Sequence, residues 1–350
     1  MKKGQARGYL LEIMLEKLLK VNGYNVITQP DNCDIFIKGN GLNLRGRGGF
    51  HQFDSLGTLR ITPPFMYPLR IFLEAKFYSD GSNVGIDVVR KGVGILQDVN
   101  TNYSTVLMND NELSLPRYNY NYTVFSASGF SKGAQLYAIA HKIYLVDLDN
   151  EFLIIKRGIT GLVDWLFNEL GTDEDIEKSE FNNFSNHFRE WLYNTDIDFN
   201  QSYFGKGGNE YRYNLNLIET EMSEKSLYLA STNSPQLIPL VPDDDSQFKE
   251  SLRISPHQRV QITWNQENEN WIVTGSDTNI SFRLTFKLPD MFAEYIFTEN
   301  NNIQERAYDV KESMLSKLTF IAYLDEINPT ICTLSFDKES TEQLVRELNN

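Results

Sequence analysis

The chain has 350 residues, 41% hydrophobic and 23% charged, which is apolar content enough for two buried cores and excludes a disordered polymer. Its net charge of −14 argues against nucleic acid meeting the whole surface, and no apolar run approaches the roughly 18 residues of a membrane span. The charge is unevenly divided: residues 1–150 carry 16 Lys and Arg against 13 Asp and Glu, and residues 151–350 carry 17 against 34. Two units with different tasks follow, of which the first can meet a polyanion and the second would repel one.

The opening "MKKGQARGYLLEIMLEKLLK" scatters charge through its apolar positions, so it reads as an amphipathic helix and not as a secretory leader. Leu10, Leu11, Met14, Leu15, Leu18 and Leu19 recur at helical spacing over residues 5–22, which end at Asn22-Gly23. Short strands are expected at residues 25–27 and 34–37, then a turn at "RGRGG" and a strand over residues 50–54. "TPPFMYP" interrupts the pattern before a strand at residues 70–78. Residues 86–100 read as a helix with Ile86, Val89, Val93 and Leu96 on one side. After a polar loop come a strand (122–126), a helix (131–142) and a strand (143–148). Strand, helix and strand at this spacing imply a parallel pair joined by a crossover, so the first unit is α/β.

Helices are expected at residues 160–170 and 180–194, separated by the acidic "TDEDIEKSE". From about Arg212 the pattern turns to strands. "ISFRLTFKL" sets Ile280, Phe282, Leu284, Phe286 and Leu288 on one face, and "VQITW" and "WIVTG" flank "NQENEN" as a hairpin. "LTFIAYL" and "ICTLSF" add strands, and Trp264 and Trp271 are assigned to the core. An antiparallel sandwich or barrel is expected, with "VPDDDS" as a solvated loop. Cys33 and Cys332 lack zinc spacing and imply a reducing cytoplasm, while His51, His141, His187 and His257 are too dispersed for a histidine metal cluster.

The stretch "RIFLEAKFY" carries the chemistry. Alternation puts Ile71, Leu73, Ala75 and Phe77 on one face and Arg70, Phe72, Glu74 and Lys76 on the other. A carboxylate and an ammonium beside a packed core need compensation. Asp54, on the same expected strand face as Gln52, is a candidate. On a neighbouring strand about 4.8 Å away it would converge with Glu74. Two carboxylates and a main-chain carbonyl such as that of Ala75 suit Mg²⁺, with Mn²⁺ as a substitute. Lys76 would orient or help deprotonate a water, or stabilise the transition state.

Asp54 with "EAK" (Glu74, Ala75, Lys76), a helix before and a strand–helix–strand after, resembles the PD-(D/E)xK nuclease superfamily. "FSASGFSKGAQLYAIAHKIYLVDL" and "RGYLLEIMLEKLLKVNGYNV" resemble segments of its Mrr-like restriction endonucleases, over roughly residues 5–150. The resemblance implies a restriction-endonuclease-like fold, a catalytic set of Asp54, Glu74 and Lys76, and supporting roles for Glu12 and Gln97. Phe53 stands where the superfamily commonly has proline, and the aromatic partner of Gln97 would be Tyr103. Arg45 and Arg47, on a glycine loop leading to Asp54, are candidates with Gln52 for substrate contact. "YNYNY" is assigned to strand packing.

The layout expected is a nuclease domain over residues 1–157, a helical connector over 158–200 and an acidic, mainly antiparallel β-rich accessory domain over 201–350. The function implied is Mg²⁺-dependent hydrolysis of DNA in a bacterial restriction or anti-phage setting, in the cytoplasm and away from membranes. The acidic half is expected to serve a protein partner or self-association and to restrain cutting. A binding or scaffolding subunit of a defence complex, and an RNase using the same residues, are the alternatives.

Overall fold

The computed structural model describes the chain except for residues 32–33, 40, 63, 79–80, 103, 116–117, 149–152, 173, 195–208, 225, 234–235, 266–269, 277–280, 298–302, 326–327 and 339–350. Cys33, Tyr103 and Ile280 thus lie outside the described residues, as does most of "NQENEN". Two compact units are found. One comprises residues 1–20, 24–131 and 147–224, the other residues 21–23, 132–146 and 225–350.

In the first unit, α1 (Lys3–Val21) buries Leu10, Leu11, Met14, Leu15, Leu18 and Leu19, the stripe that its spacing dictates. Strands β1 (Tyr24–Val26), β2 (Ile35–Lys38), β3 (Gly41–Arg45), β4 (Phe50–Gln52), β5 (Ser55–Leu59) and β6 (Leu69–Lys76) follow. Then come α2 (Ile86–Asn100), β7 (Ser104–Met108), β8 (Asn111–Leu115) and β9 (Asn119–Ser126); next in the chain are α3 (Lys132–His141) and β10 (Tyr144–Asp147), whose residues up to 146 group with the second unit. A mixed sheet has the order β1-β5-β6-β9-β10, and β2-β3-β4 form a separate three-stranded sheet. The pair β5–β6 is antiparallel and β6–β9 is parallel. Central placement explains why β6 is almost wholly buried despite its charges. The expected polar loop after α2 is in fact the hairpin β7–β8.

Helices α4 (Leu153–Leu170), α5 (Lys178–Tyr193) and α6 (Asn209–Glu224) complete the unit. The strands expected from Arg212 are α6 instead. Its Tyr211, Leu215 and Ile218 are buried at i, i+4 and i+7. Gly158 and Gly161 let α4 and α6 approach closely, since a Cβ at either would stand 2.6 Å from Ile218 or 2.1 Å from Asn214.

The second unit is built on a closed barrel. It contains β11 (Tyr228–Ser231), β12 (Leu237–Pro242), α7 (Asp245–Ile254), β13 (His257–Asn265), β14 (Asn270–Gly275), β15 (Arg283–Phe286), α8 (Asp290–Phe297), α9 (Ile303–Ser313), β16 (Lys317–Tyr323) and β17 (Pro329–Phe336). The barrel order is β11-β12-β15-β14-β13-β17-β16, closed by Ser231 opposite Thr319. Its pairs are antiparallel except β13–β17. Trp271 is buried and Trp264 packs against the same core, opposite it in the β13–β14 hairpin. "VPDDDS" is no plain loop: Asp244 caps α7 by accepting from the Gln247 amide at 3.0 Å, and Phe248 of that helix enters the core. Cys332 is a free, buried thiol in this core. Among the described residues, no helix is long and apolar enough to cross a membrane.

Candidate functional site

The antiparallel register of β5 on β6 sets Ser55 opposite Leu73, so one further step sets Asp54 against Glu74. Asp54 Oδ2 accepts a hydrogen bond from the Ala75 amide at 2.7 Å, which fixes the carboxylate beside the "EAK" backbone. Asp54 reaches this place from a break between sheets. β4 ends at Gln52, and β5 begins at Ser55 in a different sheet. The strand expected over residues 50–54 is thereby corrected, and Gln52 does not share a strand face with Asp54. Phe53, at the break, is buried and packs edge-on against Phe72 with ring centroids 5.8 Å apart. A residue of that bulk anchors the chain where a proline was expected.

Glu74 is 4% exposed and its carboxylate is fully engaged. Lys76 Nζ donates to Oε1 at 2.6 Å, Lys91 Nζ donates to Oε1 at 3.2 Å, and the Tyr122 hydroxyl donates to Oε2 at 3.0 Å. Lys76 Nζ also donates to the Ala75 carbonyl at 3.2 Å. The parallel β6–β9 register brings Tyr122 of "YNYNY" opposite Phe72, whose ring it stacks at 4.9 Å. Upstream on the same face, buried Arg70 donates to Thr58 and to Tyr120, and its guanidinium lies over the Tyr118 ring. Gly92 makes room for Tyr122 under α2, since a Cβ there would stand 2.6 Å from the ring.

These charges perturb one another. Burial would raise Glu74, but the Lys76 and Lys91 ammonium groups outweigh it and hold the carboxyl below its usual range. Burial and the nearby Glu74 charge push Asp54 up, against the Ala75 amide and the two lysines. Lys76 resists its own burial and is raised by Glu74 and Asp54. Its ammonium donates to Glu74 and to the Ala75 carbonyl. Glu12, projecting from α1, is raised to about 8 by burial, by Asp54 and by Glu16. Tyr122 is raised strongly by burial and Glu74, so its hydroxyl stays a donor.

The other expected residues lie elsewhere. Gln97 is exposed on α2, about 9 Å of helix rise beyond Lys91, and the side chain that α2 delivers to Glu74 is Lys91. Arg45 and Arg47 are exposed on β3 and its following loop, and Gln52 is exposed on β4. That loop is clamped by Asp98, which accepts from the Gly48 amide at 2.7 Å and meets His51 Nε2 at 2.7 Å. Gly46 packs so tightly there that a Cβ would stand 2.0 Å from Asp98 Oδ2. Lys91, Tyr122 and Asp98 escape sequence reading because their contacts depend on register and helix docking. Next to Lys76, Phe77 and Tyr78 line a cleft of about 470 Å³ together with Gly4, Arg7, Ser82 and Asn83.

Among the described residues, no group of three or more His, Cys, Asp and Glu forms a metal cage. The donor set of Asp54, Glu74 and the Ala75 carbonyl is nevertheless hard oxygen chemistry, and its two adjacent carboxylates are balanced by ammonium groups alone. A divalent cation fits that set by charge and donor type.

No protein-family profile matches this chain, and no curated protein matches it. Among solved structures, the protein of unknown function AF1548 is similar over 46% of this chain and 77% of its own, at 18% identity and a TM-score of 0.30. A likeness at that level assigns neither fold nor function.

Proposed function

We propose that the first unit is a metal-dependent nuclease of the PD-(D/E)xK type, with a restriction-endonuclease-like core. The observation that carries the reading is the meeting of Asp54 and the Glu74–Ala75–Lys76 run across β5 and β6. Asp54, Glu74 and the Ala75 carbonyl would hold Mg²⁺, or Mn²⁺ in its place. When bound, the cation would supply Lewis-acid charge to a phosphodiester and lower the pKa of a water beside it. Lys76, held protonated, stabilises negative charge developing on the phosphate oxygens. Lys91 adds a second positive group to the same carboxylate, and Tyr122 fixes that carboxylate's orientation. Glu12, raised to about 8 by burial and by the Asp54 and Glu16 charges, feels the same carboxylates and has a supporting role at the site. DNA is the substrate proposed, in a bacterial restriction or anti-phage role in the cytoplasm, with RNA open to the same chemistry.

A second reading rests on a specific observation. Lys76, Lys91 and Tyr122 donate to both oxygens of Glu74, so that carboxylate is partnered within the chain, an arrangement that a binding or scaffolding subunit would retain. Calorimetry separates the two. Titration of the full chain with Mn²⁺ is expected to show saturable binding that Asp54→Ala abolishes. Absence of binding to the parent would remove the nuclease reading in favour of the second.

A further inference from the structure

We infer that the outer face of the β2-β3-β4 sheet binds single-stranded nucleic acid, its bases on Phe36 and Phe50 and its phosphates on Lys38, Arg45 and Arg47. Directly paired residues of antiparallel strands share a face. The registers pair Phe36 with Asn43, Asn43 with Gln52, Lys38 with Gly41, and Arg45 with Phe50. Phe36, Lys38, Arg45, Phe50 and Gln52 therefore stand together on one side with the buried Asn43, while the other side buries Ile35 and Leu44 and leaves Ile37 exposed at its end. Phe50 is 42% exposed and meets Phe36 edge-on at 5.7 Å, and Lys38 Nζ lies 4.4 Å over the Phe50 ring.

An exposed phenylalanine alone is ordinary. This one has Lys38 over its ring and Arg45 paired opposite it, in a cationic stretch. Residues 35–53 contain Lys38, Arg45 and Arg47 and no Asp or Glu, in a chain of net charge −14. Among the described residues, none of these three cations has an ion-pair partner. The acids that touch the segment are engaged elsewhere: Asp31 accepts from the Ile35 amide at 2.8 Å, and Asp98 meets His51 and the Gly48 amide. Its grip also fixes the loop that carries Arg47, whose own amide donates to the Asp98 carbonyl at 3.1 Å, while Asn102 holds the Arg45 carbonyl at 3.0 Å. Cations beside a partly exposed aromatic ring, on a loop whose backbone is held, are what stacking unpaired bases along a phosphate backbone requires, with the Lys38 ammonium moving off the Phe50 ring to a phosphate. A duplex keeps its base faces inside and offers only the phosphates. Single strands are thus the substrate class this face selects, and delivery of such a strand to Asp54, two residues beyond β4, rests on the nuclease reading above.

The test is fluorescence anisotropy of labelled oligo(dT), its RNA counterpart and a duplex of equal length, titrated with the full chain in EDTA so that nothing is cut. Preference for the single strands is expected. Phe50→Ala should weaken binding about tenfold, the loss of one stacked base, and Phe50→Trp should restore it with quenching of the new indole. Arg45→Ala with Arg47→Ala should lower the log–log salt slope by about 1.4. Equal affinity for duplex, or an unchanged Phe50→Ala that retains its circular dichroism spectrum, overturns the assignment. So does a self-associating chain that Phe50→Glu makes monomeric without changing oligonucleotide binding. Binding with no cleavage once Mg²⁺ is added upholds this surface and removes the nuclease reading. Cleavage with an indifferent Phe50→Ala does the reverse.

Discussion

Glu12 is the residue whose chemistry was least visible from its neighbours in sequence. On α1 it falls in a line with Glu16 and Lys20 that suggests a solvated helix face, yet burial and the nearby Asp54 raise it to about 8 from an ordinary 4.5. The native chain therefore holds this proton between about pH 4.5 and 8, where the unfolded chain has lost it. Stability from the group is complete below pH 4.5 and is lost as the pH rises through 8, by an amount on the order of a few kcal/mol. Asp54 and Glu16 are raised too and add the same sign. Urea midpoints of the full chain in EDTA should thus fall from pH 5 to pH 8, and Glu12→Gln should flatten part of that fall. Parallel curves for parent and variant would contradict the burial of Glu12 among these carboxylates. By contrast, Asp54, Glu74 and Lys76 could be read directly, because alternation within one strand and a register between adjacent strands place them. Lys91 and Tyr122 could not, since each reaches Glu74 from an element whose docking no local pattern encodes.

At the scale of elements, legibility followed the clarity of the hydrophobic period. Residues 86–100 form α2 as expected, because its apolar positions fit a helical repeat alone. "YRYNLNL" in α6 alternates like a strand and also satisfies i, i+4 and i+7, and its packing on α4 decides for the helix. That packing depends on Gly158 and Gly161. Gly158→Val would drive a side chain into Ile218 and the Asn214 carbonyl, which stand 2.6 and 3.0 Å from a bare Cβ. A loss of about 1–3 kcal/mol in urea unfolding is expected, the usual cost of overpacking. A neutral result would mean that the two helices are not held at this distance. The break between β4 and β5 was missed because "FHQFDSL" alternates without a Gly or Pro, and buried Phe53 marks the change of sheet only once its partner Phe72 is known.

For the molecule as a whole, the division of charge anticipated two units, an α/β part and an acidic part whose core is a closed, mainly antiparallel barrel. Where one ends was not legible. Residues 132–146 group with the second unit, and residues 147–224 with the first. A truncation near residue 157 would therefore divide neither unit cleanly, and activity is best tested on the full chain. The central claim is that Asp54, Glu74 and Lys76 form a hydrolytic site. Its most direct test is incubation of the full chain and its Lys76→Ala variant with Mg²⁺ and labelled single-stranded DNA, duplex DNA and RNA. Metal-dependent cleavage by the parent is expected, with none by a variant that still binds the strand. No cleavage of any of the three by the parent, or equal cleavage by both proteins, would contradict it.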